Sequence, residues 1–401
     1  MREIHYDEAQ VPAYVLPQPL RFLDGGTVSA ADWPRRRVEI LRLFEDHVYG
    51  RAPEALAEAD VHHETLEEGP TLGDRALRRQ VRIRIGYGGR SRDLHLLVLL
   101  PSPAPRPVPA FLGLNFFGNH TLSNDPAVPL PRSWVSATAG DRGQPHPTDA
   151  GRGRDAASWP LETVLGRGYA LASLYCGDAE PDHPNGWTEG LRGLFAGDGA
   201  DPHGWGAIGA WAQGLRYALK ALQMIPEIDG TRVAVIGHSR LGKAALWAGA
   251  QDERFALVIS NNSGCGGAAL SRRAYGETVA RINASFPHWF CPAFRRYDDR
   301  EADLPVDQHM LLALVAPRPL YVASAEDDRW ADPRGEFLAT VAADPVYRLM
   351  GTDGLPVRDM PAPLRPAAAT VGYHLRPGGH GITPYDWERY LDFADRHLTP
   401  R

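Results

Sequence analysis

Cysteine is scarce in this sequence of 401 residues, with only Cys176, Cys265 and Cys291. Three thiols cannot form a disulfide framework, and none of them stands in a Cys-x-x-Cys pair. One disulfide, such as Cys265 to Cys291, is an open alternative, but we predict that all three are small buried residues. The sequence is therefore not that of a disulfide-stabilised scaffold.

Long apolar runs are also absent. No stretch approaches the roughly 20 residues of a membrane span, and the opening MREIHYDEAQVPAY lacks the apolar segment of a secretory signal. We therefore predict no membrane partner and, for the sequence as written, a cytoplasmic location. A chain from which a signal had been removed would read the same way and would be secreted or periplasmic.

Positive charge is not in excess. Lysine and arginine total 43 against 49 aspartates and glutamates, and the formal net charge of −6 argues against a nucleic-acid partner. The cluster Arg35-Arg36-Arg37 is predicted to be a solvated helix face. Histidine pairs such as His62-His63 lack the spaced partners of a zinc site, and no glycine-rich phosphate loop is present. We predict no metal site.

The sequence does contain a serine at a sharp turn. Residues 232–249, RVAVIGHSRLGKAALWAG, run from β-branched apolar residues through Gly-His-Ser-Arg-Leu-Gly into helix-forming residues. This pattern predicts a strand, a tight bend and a helix, with Ser239 exposed at the bend as in a nucleophile elbow. Leu241 occupies the usual second glycine position and Gly242 follows it, so the match to Gly-x-Ser-x-Gly is imperfect.

An acid and a histidine follow the serine in the order expected of an α/β-hydrolase. The apolar segment 319–325 predicts a buried strand that leads into the acidic residues 326–328. The segment 370–375 predicts a second strand, which leads to His380 in a glycine-rich loop. Serine, acid and histidine at three strand ends favour a serine hydrolase.

The whole chain predicts one α/β domain over residues 1–401, a three-layer sandwich with a mostly parallel sheet between helices. Residues 1–60 are predicted to be an N-terminal extension and helix, and segments 115–160 and 260–307 to be insertions that line the site. Further strands are predicted at 76–85, 93–100, 109–114 and 169–175, and helices at 33–49, 204–224 and 387–397.

Further motifs are spread over most of the chain. In order they are Val48-Tyr-Gly-Arg, Gly-His-Ser-Arg-Leu-Gly-Lys, Ser-Gly-Cys-Gly-Gly, Gly276-Glu-Thr, Phe286-Pro-His-Trp-Phe, Ala316-Pro-Arg-Pro-Leu, Asp328-Arg-Trp and Gly379-His-Gly. Together they resemble bacterial glucuronoyl esterases of carbohydrate esterase family 15, in which the Ser-Arg-x-Gly-Lys form of the elbow is expected. The resemblance implies an α/β-hydrolase fold, no metal or organic cofactor, and cleavage of esters between 4-O-methyl-glucuronic acid on xylan and lignin alcohols.

Ester hydrolysis assigns roles to three residues. Ser239 would attack the ester carbonyl, and His380 would accept its proton and return it to the departing alcohol. The backbone N–H of Arg240 takes the usual oxyanion position, with the loop 115–117 as a candidate second donor. In the family's pattern the Arg240 guanidinium also holds the oxyanion, and a salt bridge that orders the elbow is the alternative. His309 is a rival histidine, but it precedes a strand.

The carboxylate that orients the histidine has several candidates. Where many members of the resembled family carry a glutamate after the strand that follows the elbow helix, this sequence has Asn262, which cannot stabilise an imidazolium as a charge does. The resemblance then points to Asp328. Asp327 and Glu326 are close rivals, and Asp332 is a weaker one.

Three residues are candidates for binding a sugar. Lys243 lies four residues after Ser239, so on a helix both would project from one side toward the pocket mouth, and the resemblance makes it a donor to sugar hydroxyls. Glu277 can accept two hydrogen bonds from neighbouring hydroxyls, and Trp330 offers a flat apolar face. An ordinary exposed lysine and a core tryptophan are the alternatives.

We therefore predict a serine-type carboxylic ester hydrolase that cleaves glucuronate esters through an acyl-enzyme. Its partner would be a small-molecule or oligosaccharide uronate ester, and the sequence makes no prediction of oligomeric state. An esterase for acetylated carbohydrates is the first alternative. A catalytically silent hydrolase fold that binds carbohydrate is the second, motivated by Asn262.

Overall fold

The structure is a computed structural model that describes residues 2–103, 107–136, 147–196, 201 and 204–398. The described residues form ten strands, which are β1 (Asp60–Thr71), β2 (Ala76–Tyr87), β3 (Arg90–Pro101), β4 (Val108–Asn115), β5 (Ala170–Tyr175), β6 (Ile228–His238), β7 (Leu257–Asn261), β8 (Leu320–Ala325), β9 (Ala367–Ala368) and β10 (Val371–Arg376). The middle of the predicted 115–160 insertion, residues 137–146, lies outside the described residues.

The same residues form ten α-helices. They are α1 (Trp33–Phe44), α2 (Leu161–Gly166), α3 (Cys176–Ala179), α4 (Leu191–Phe195), α5 (Ala207–Leu222), α6 (Arg240–Gln251), α7 (Val279–Ser285), α8 (Gln308–Ala313), α9 (Pro333–Leu349) and α10 (Pro384–Leu398). No helix among the described residues is both long enough and apolar enough to cross a membrane.

The chain divides into two compact units. The first comprises Met1–Arg51, Gly237–Glu253 and Leu257–Gly381, and the second comprises Ala52–Ile236, Arg254–Ala256 and Ile382–Arg401. The prediction of a single domain over residues 1–401 stays a prediction.

The second unit holds strands in the order β1-β2-β3-β5-β4-β6. β2 is antiparallel to both β1 and β3, and β3 is antiparallel to β5. β4 is parallel to both β5 and β6. β4 and β5 are buried at every position, and they read as continuous apolar runs because parallel strands are covered on both faces. The helix α5 packs against β4 and β5.

The first unit holds strands in the order β7-β8-β10-β9, and it positions the candidate site. β7, β8 and β10 are parallel, and only the two-residue β9 is antiparallel. The helix α6 packs on β7, and α9 packs on β8 and β10. Because parallel strands end at one edge of the sheet, the loops that follow β7, β8 and β10 lie side by side.

Of two predictions about side chains, one is confirmed and the other is wrong for two residues. All three cysteines are buried and free, as predicted. The solvated face predicted for the arginine cluster of α1 is wrong for Arg36 and Arg37, which are 3% and 9% exposed. Arg36 donates to Pro19 O at 3.1 Å, and Arg37 donates to Leu314 O at 3.3 Å. A guanidinium can be buried when backbone carbonyls accept its hydrogens.

Candidate active site

Ser239 stands at a strained bend between β6 and α6. Its φ of 56° and ψ of −131° lie in a region that non-glycine residues rarely adopt. The bend requires a glycine at 237, because a Cβ there would lie 2.1 Å from Leu241 O. The Ser239 N–H donates to Asn261 O at 2.9 Å, which ties the bend to the end of β7. This is the backbone of a nucleophile elbow.

The geometry also explains the displaced second glycine of the motif. At Gly242 a Cβ would lie 3.0 Å from both Gly237 O and Ser263 Cβ, so the first turn of α6 lies tightly against the ends of the strands at residue 242. Leu241 instead places its side chain in the core, where it is 1% exposed. The elbow therefore has its second small residue one position later than in the common motif.

Asp328 and His380 form the acid–base pair. Asp328 follows β8 and His380 follows β10, and Asp328 Oδ2 lies 2.6 Å from His380 Nδ1. Burial acts to raise the pKa of Asp328, but the hydrogen bond and charge of His380 and the Asn262 amide outweigh it and hold that pKa below its ordinary value. An ionised carboxylate on Nδ1 leaves Nε2 as the nitrogen that can accept a proton.

His380 lies beside the elbow. The centroid of its ring is 4.5 Å from that of His238, the residue before Ser239. His238 Nδ1 is 2.7 Å from Asn261 Oδ1, so its own ring is held by the end of β7. The His380 side chain is 44% exposed, which leaves the imidazole open to solvent or substrate.

The rival acids and the rival histidine lie elsewhere. Glu326 and Asp327 are exposed. Asp332 is buried in an ion pair with Arg273, at 2.7 Å from its Nε. His309 is 1% exposed, and its Nε2 lies 2.8 Å from Pro17 O, where it is part of the core. The geometry therefore favours Asp328 and His380 among the alternatives.

Asn262 supports the acid in place of a carboxylate of its own. It stands directly after β7 with a φ of 47°, and its Nδ2 donates to Asp328 Oδ2 at 2.7 Å. An amide donor stabilises the ionised form of Asp328 without competing for His380. The asparagine that motivated a catalytically silent protein therefore belongs to a complete acid–base arrangement.

The three predicted sugar-binding residues lie on neighbouring segments. Glu277 N donates to Trp330 O at 3.1 Å, and the Trp330 side chain acts to lower the pKa of the Glu277 carboxyl. Trp330 is 37% exposed, so it is not the core tryptophan of the alternative interpretation. Burial raises the pKa of Glu277 above its ordinary value, against the pull of the Lys243 charge. We call Glu277 and Trp330 the sugar wall.

Lys243 differs from its expected position at the pocket mouth. Its side chain is 4% exposed, and its Nζ donates to Ser263 O. Nζ also lies 6.0 Å from the centre of the Trp289 ring. Trp289 and Phe290 are each 5% exposed and pack within the 260–307 segment. Lys243 therefore acts on Glu277 from inside the protein.

Arg240 is the first residue of α6 and is half-buried. Its backbone N–H directly follows the Ser239 nucleophile candidate, at the position that oxyanion holes use. The proposed second donor loop begins at Asn115, whose Oδ1 accepts Gly118 N at 2.7 Å. The oxyanion roles of Arg240 and of that loop stay predictions.

Comparison with known proteins decides the family. A family model described as "Glucuronyl esterase, fungi" matches residues 199–351. Carbohydrate esterase MZ0003, from an unknown prokaryotic organism, is 48% identical over 404 residues, which are 99% of this chain and 93% of that protein. A promiscuous CE15 esterase from a marine bacterial metagenome has a TM-score of 0.92 at 47% identity, covering 99% of this chain and 100% of that one. The chain belongs to carbohydrate esterase family 15.

A second solved structure, the glucuronoyl esterase from Solibacter usitatus, has a TM-score of 0.91 at 44% identity, covering 98% of this chain and 100% of that one. Membership of carbohydrate esterase family 15 confirms the resemblance read from the motifs and the α/β-hydrolase fold. It also confirms that the protein is a serine-type carboxylic ester hydrolase. The roles of individual residues are not tested by the comparisons and stay predictions.

Sequence reasoning missed one buried residue that supports the loops of the candidate site. Glu336, in the first turn of α9, is fully buried and accepts the N–H groups of Ser263 at 2.8 Å and Gly264 at 3.0 Å. It also accepts the Ser324 hydroxyl at 2.6 Å, which joins the end of β8 to the turn after Asn262. Burial raises the pKa of Glu336 to about 8. Nothing in the local sequence distinguishes it from an ordinary helix glutamate.

Proposed function

We propose that this protein hydrolyses esters of glucuronic acid, including its 4-O-methyl form, through an acyl-enzyme on Ser239. The observation that carries the proposal is the double role of one short loop. Asp328 at its start bonds His380, and the backbone oxygen of Trp330 two residues later accepts the N–H of Glu277. A single loop thus joins the acid–base pair to a surface suited to a sugar.

Acylation begins at Ser239. As its oxygen forms a bond to the ester carbonyl carbon, the hydroxyl proton passes to His380 Nε2, and the ionised Asp328 stabilises the imidazolium on the other side of the ring. The carbon–oxygen bond to the alcohol then breaks, and His380 returns the proton to the departing oxygen. The uronate remains as an ester of Ser239.

Deacylation repeats these steps with water. His380 accepts a proton from the water as its oxygen attacks the acyl carbon, and Ser239 leaves with that proton. In both steps the carbonyl oxygen gains negative charge beside the first turn of α6. A backbone N–H and the Arg240 side chain at this position would stabilise that charge by about 3 kcal/mol.

Recognition of the sugar falls to Glu277 and Trp330. An indole face packs against the apolar face of a pyranose ring, and a carboxylate accepts hydrogen bonds from neighbouring hydroxyls. The backbone hydrogen bond from Glu277 N to Trp330 O holds the acceptor and the flat surface side by side. Such an arrangement favours a sugar acid over a small acyl group such as acetate.

The test is a panel of esters. We expect turnover of benzyl glucuronate and of methyl 4-O-methyl-glucuronate, with kcat/KM at least about tenfold above that for 4-nitrophenyl acetate or an acetylated xylooligosaccharide. Ser239→Ala should lower kcat by about 10³-fold or more on every active substrate. Preference for the acetylated sugar would instead favour the acetyl-carbohydrate esterase, and turnover that survives Ser239→Ala would remove Ser239 from the reaction.

A further inference from the structure

The segment 2–11, which we call the N-terminal arm, is bound to the loops of the candidate site. It contains one turn of 3-10 helix, Glu8–Gln10, and its residues 6–10 are all exposed. It therefore contributes little to the core. Arg2 donates to Asp299 and Glu301, and the contacts with the loops of the candidate site are made by backbone carbonyls, two aromatic rings and one carboxylate.

The first set of contacts reaches the segment before Glu277. Gly276 N donates to His5 O at 3.1 Å. The Tyr275 hydroxyl donates to Tyr6 O at 3.2 Å, and the Tyr275 ring meets the rings of His5 and Tyr6 edge to face. The arm thus holds the backbone directly beside the carboxylate of the sugar wall.

The second set reaches the loop that carries Trp330. The Arg329 guanidinium donates to Tyr6 O and lies 4.9 Å from the centre of the Tyr6 ring. One residue of the arm therefore contacts the segment on each side of the sugar wall.

Glu8 adds a charged contact to the same segments. Its carboxylate accepts Arg273 Nη2 at 2.6 Å, and Arg273 Nε donates to Asp332. Arg334 Nη1 lies 3.5 Å from the other oxygen of Glu8. Glu8 therefore joins the segment before Glu277 to the start of α9, which follows the Trp330 loop.

The two segments meet closely where the arm binds them. Gly276 has a φ of 62°, and a Cβ on it would lie 2.6 Å from Arg329 O and 2.7 Å from Trp330 O. Glu277 N also donates to Trp330 O at 3.1 Å, so the two residues of the sugar wall are adjacent. A small shift of either segment would change this hydrogen bond, while the Asp328–His380 pair has separate support from Asn262.

We infer that the N-terminal arm is a positioning element for the sugar wall, and that it sets the affinity for the uronate. The inference rests on the proposed function, because it assigns Glu277 and Trp330 to the sugar. The arm touches neither Ser239 nor the acid–base pair among the contacts described, so its removal acts on sugar binding before it acts on the chemical steps.

The first test deletes residues 2–8. We expect KM for benzyl glucuronate to rise by about tenfold, with kcat/KM for 4-nitrophenyl acetate within about twofold of the parent protein. An equal loss on both esters would mean that the arm only supports the fold, and an unchanged KM would overturn the inference.

Point variants serve if the deleted chain does not fold. Glu8→Gln removes the charge that holds Arg273 and Arg334, and Glu3→Gln removes the same charge from an exposed position of the same arm. We expect KM for benzyl glucuronate to rise about threefold in Glu8→Gln and to stay at the parent value in Glu3→Gln. Equal values in the two variants would contradict the inference.

A double variant tests whether the effect of Glu8 on KM depends on Glu277. If Glu8 acts through the sugar wall, Glu8→Gln combined with Glu277→Gln should raise KM no further than Glu277→Gln alone. If the factors by which the two single variants raise KM multiply in the double variant, the two residues act independently. That result would reject a positioning role for the arm.

Amide hydrogen exchange separates this inference from the proposed function. Peptides covering 273–277 and 329–334 should exchange faster in Glu8→Gln than in Glu3→Gln, whatever substrate the protein prefers. Unchanged exchange would refute the arm's role even in an active glucuronate esterase. Faster exchange in a protein that rejects glucuronate would refute the proposed function and keep the positioning role.

Discussion

The acid–base pair is supported by buried residues at strand ends, whereas the sugar wall is supported by an exposed segment. Asp328 is 5% exposed and receives a hydrogen bond from Asn262 at the end of β7, while the fully buried Glu336 holds the next turn of chain. Trp330, two residues later, is 37% exposed, and its loop is held from outside by the N-terminal arm. The chemical groups thus depend on strand ends, and the recognition groups depend on a surface segment.

Because of this difference, substitutions in the two regions should affect different kinetic constants. Groups held by buried strand ends keep their relative distances as long as the sheet is intact, which suits proton transfer over a hydrogen-bond length. Groups held by exposed contacts can be displaced without unfolding the protein. Changes beneath the acid should therefore alter kcat, and changes at the wall or the arm should alter KM.

The largest effect should come from the acid. Asp328→Asn is expected to lower kcat by about 10³- to 10⁴-fold, because an amide cannot stabilise the imidazolium of His380 or hold its tautomer. Steady-state rates on benzyl glucuronate measure the loss. The exposed neighbour Asp327→Asn is the matched control and should stay within about twofold of the parent protein. A larger loss in the control would move the acid to Asp327.

A smaller and different effect is expected at the sugar wall. Glu277→Gln keeps the shape and the acceptor oxygen but loses the charge, so KM for benzyl glucuronate should rise about tenfold with kcat within about threefold. Rates on 4-nitrophenyl acetate, which has no sugar, provide the control and should not change. A fall in kcat on both esters would place Glu277 in the chemical steps and erase the contrast between the two regions.

The smallest effect on activity is expected for Glu336→Gln, whose consequence is pH-dependent stability. Burial raises the pKa of Glu336 to about 8, above its ordinary value in the unfolded chain, so the folded protein binds this proton more tightly. The resulting stability is full below the unfolded pKa and is lost as the pH rises through about 8. A neutral glutamine removes this loss.

Thermal unfolding from about pH 5 to about pH 9 measures the effect. The Tm of the parent protein should fall more steeply over this range than that of Glu336→Gln, and the exposed control Glu326→Gln should follow the parent. If all three slopes agree, the folded protein does not bind the Glu336 proton more tightly than the unfolded chain does.

Much of the fold could be predicted where burial is uniform. The segments predicted at 109–114, 319–325 and 370–375 correspond to β4, β8 and β10, which are buried at every position and therefore continuously apolar. The predicted helix at 387–397 corresponds to α10, whose buried residues recur at helical spacing.

Other elements gave no such signal. β1 has no buried position, since it alternates exposed and half-buried residues rich in histidine and glutamate, and it went unpredicted. The helix predicted at 33–49 ends as α1 at Phe44 and continues as a π-helical turn, Glu45–Tyr49. Hydrophobic periodicity does not distinguish these two backbone forms.

The candidate site likewise has a part that local sequence patterns predict and a part that they do not. The elbow around Ser239 and the strand-end positions of Asp328 and His380 follow from local patterns, because an α/β sheet brings its carboxyl ends to one edge. Local pattern did not separate Asp328 from Asp327; the family resemblance pointed to Asp328, and the structure shows that Asp328 is buried against His380 whereas Asp327 is exposed. The roles of Glu336 and the arm could not be found, because they depend on partners far away along the chain, such as Ser263 for Glu336 at 73 residues and Arg273 for Glu8 at 265 residues.

The sequence alone determined the order of strand, bend and helix around Ser239 and the strand ends that carry the acid and the histidine, because apolar runs and turn residues act over a few neighbouring positions. Tertiary structure decided which carboxylate meets His380, why Lys243 is buried and what holds the sugar wall. Those outcomes depend on groups that are distant in sequence, whose charge and hydrogen bonds acquire partners only when the loops at the sheet edge come together.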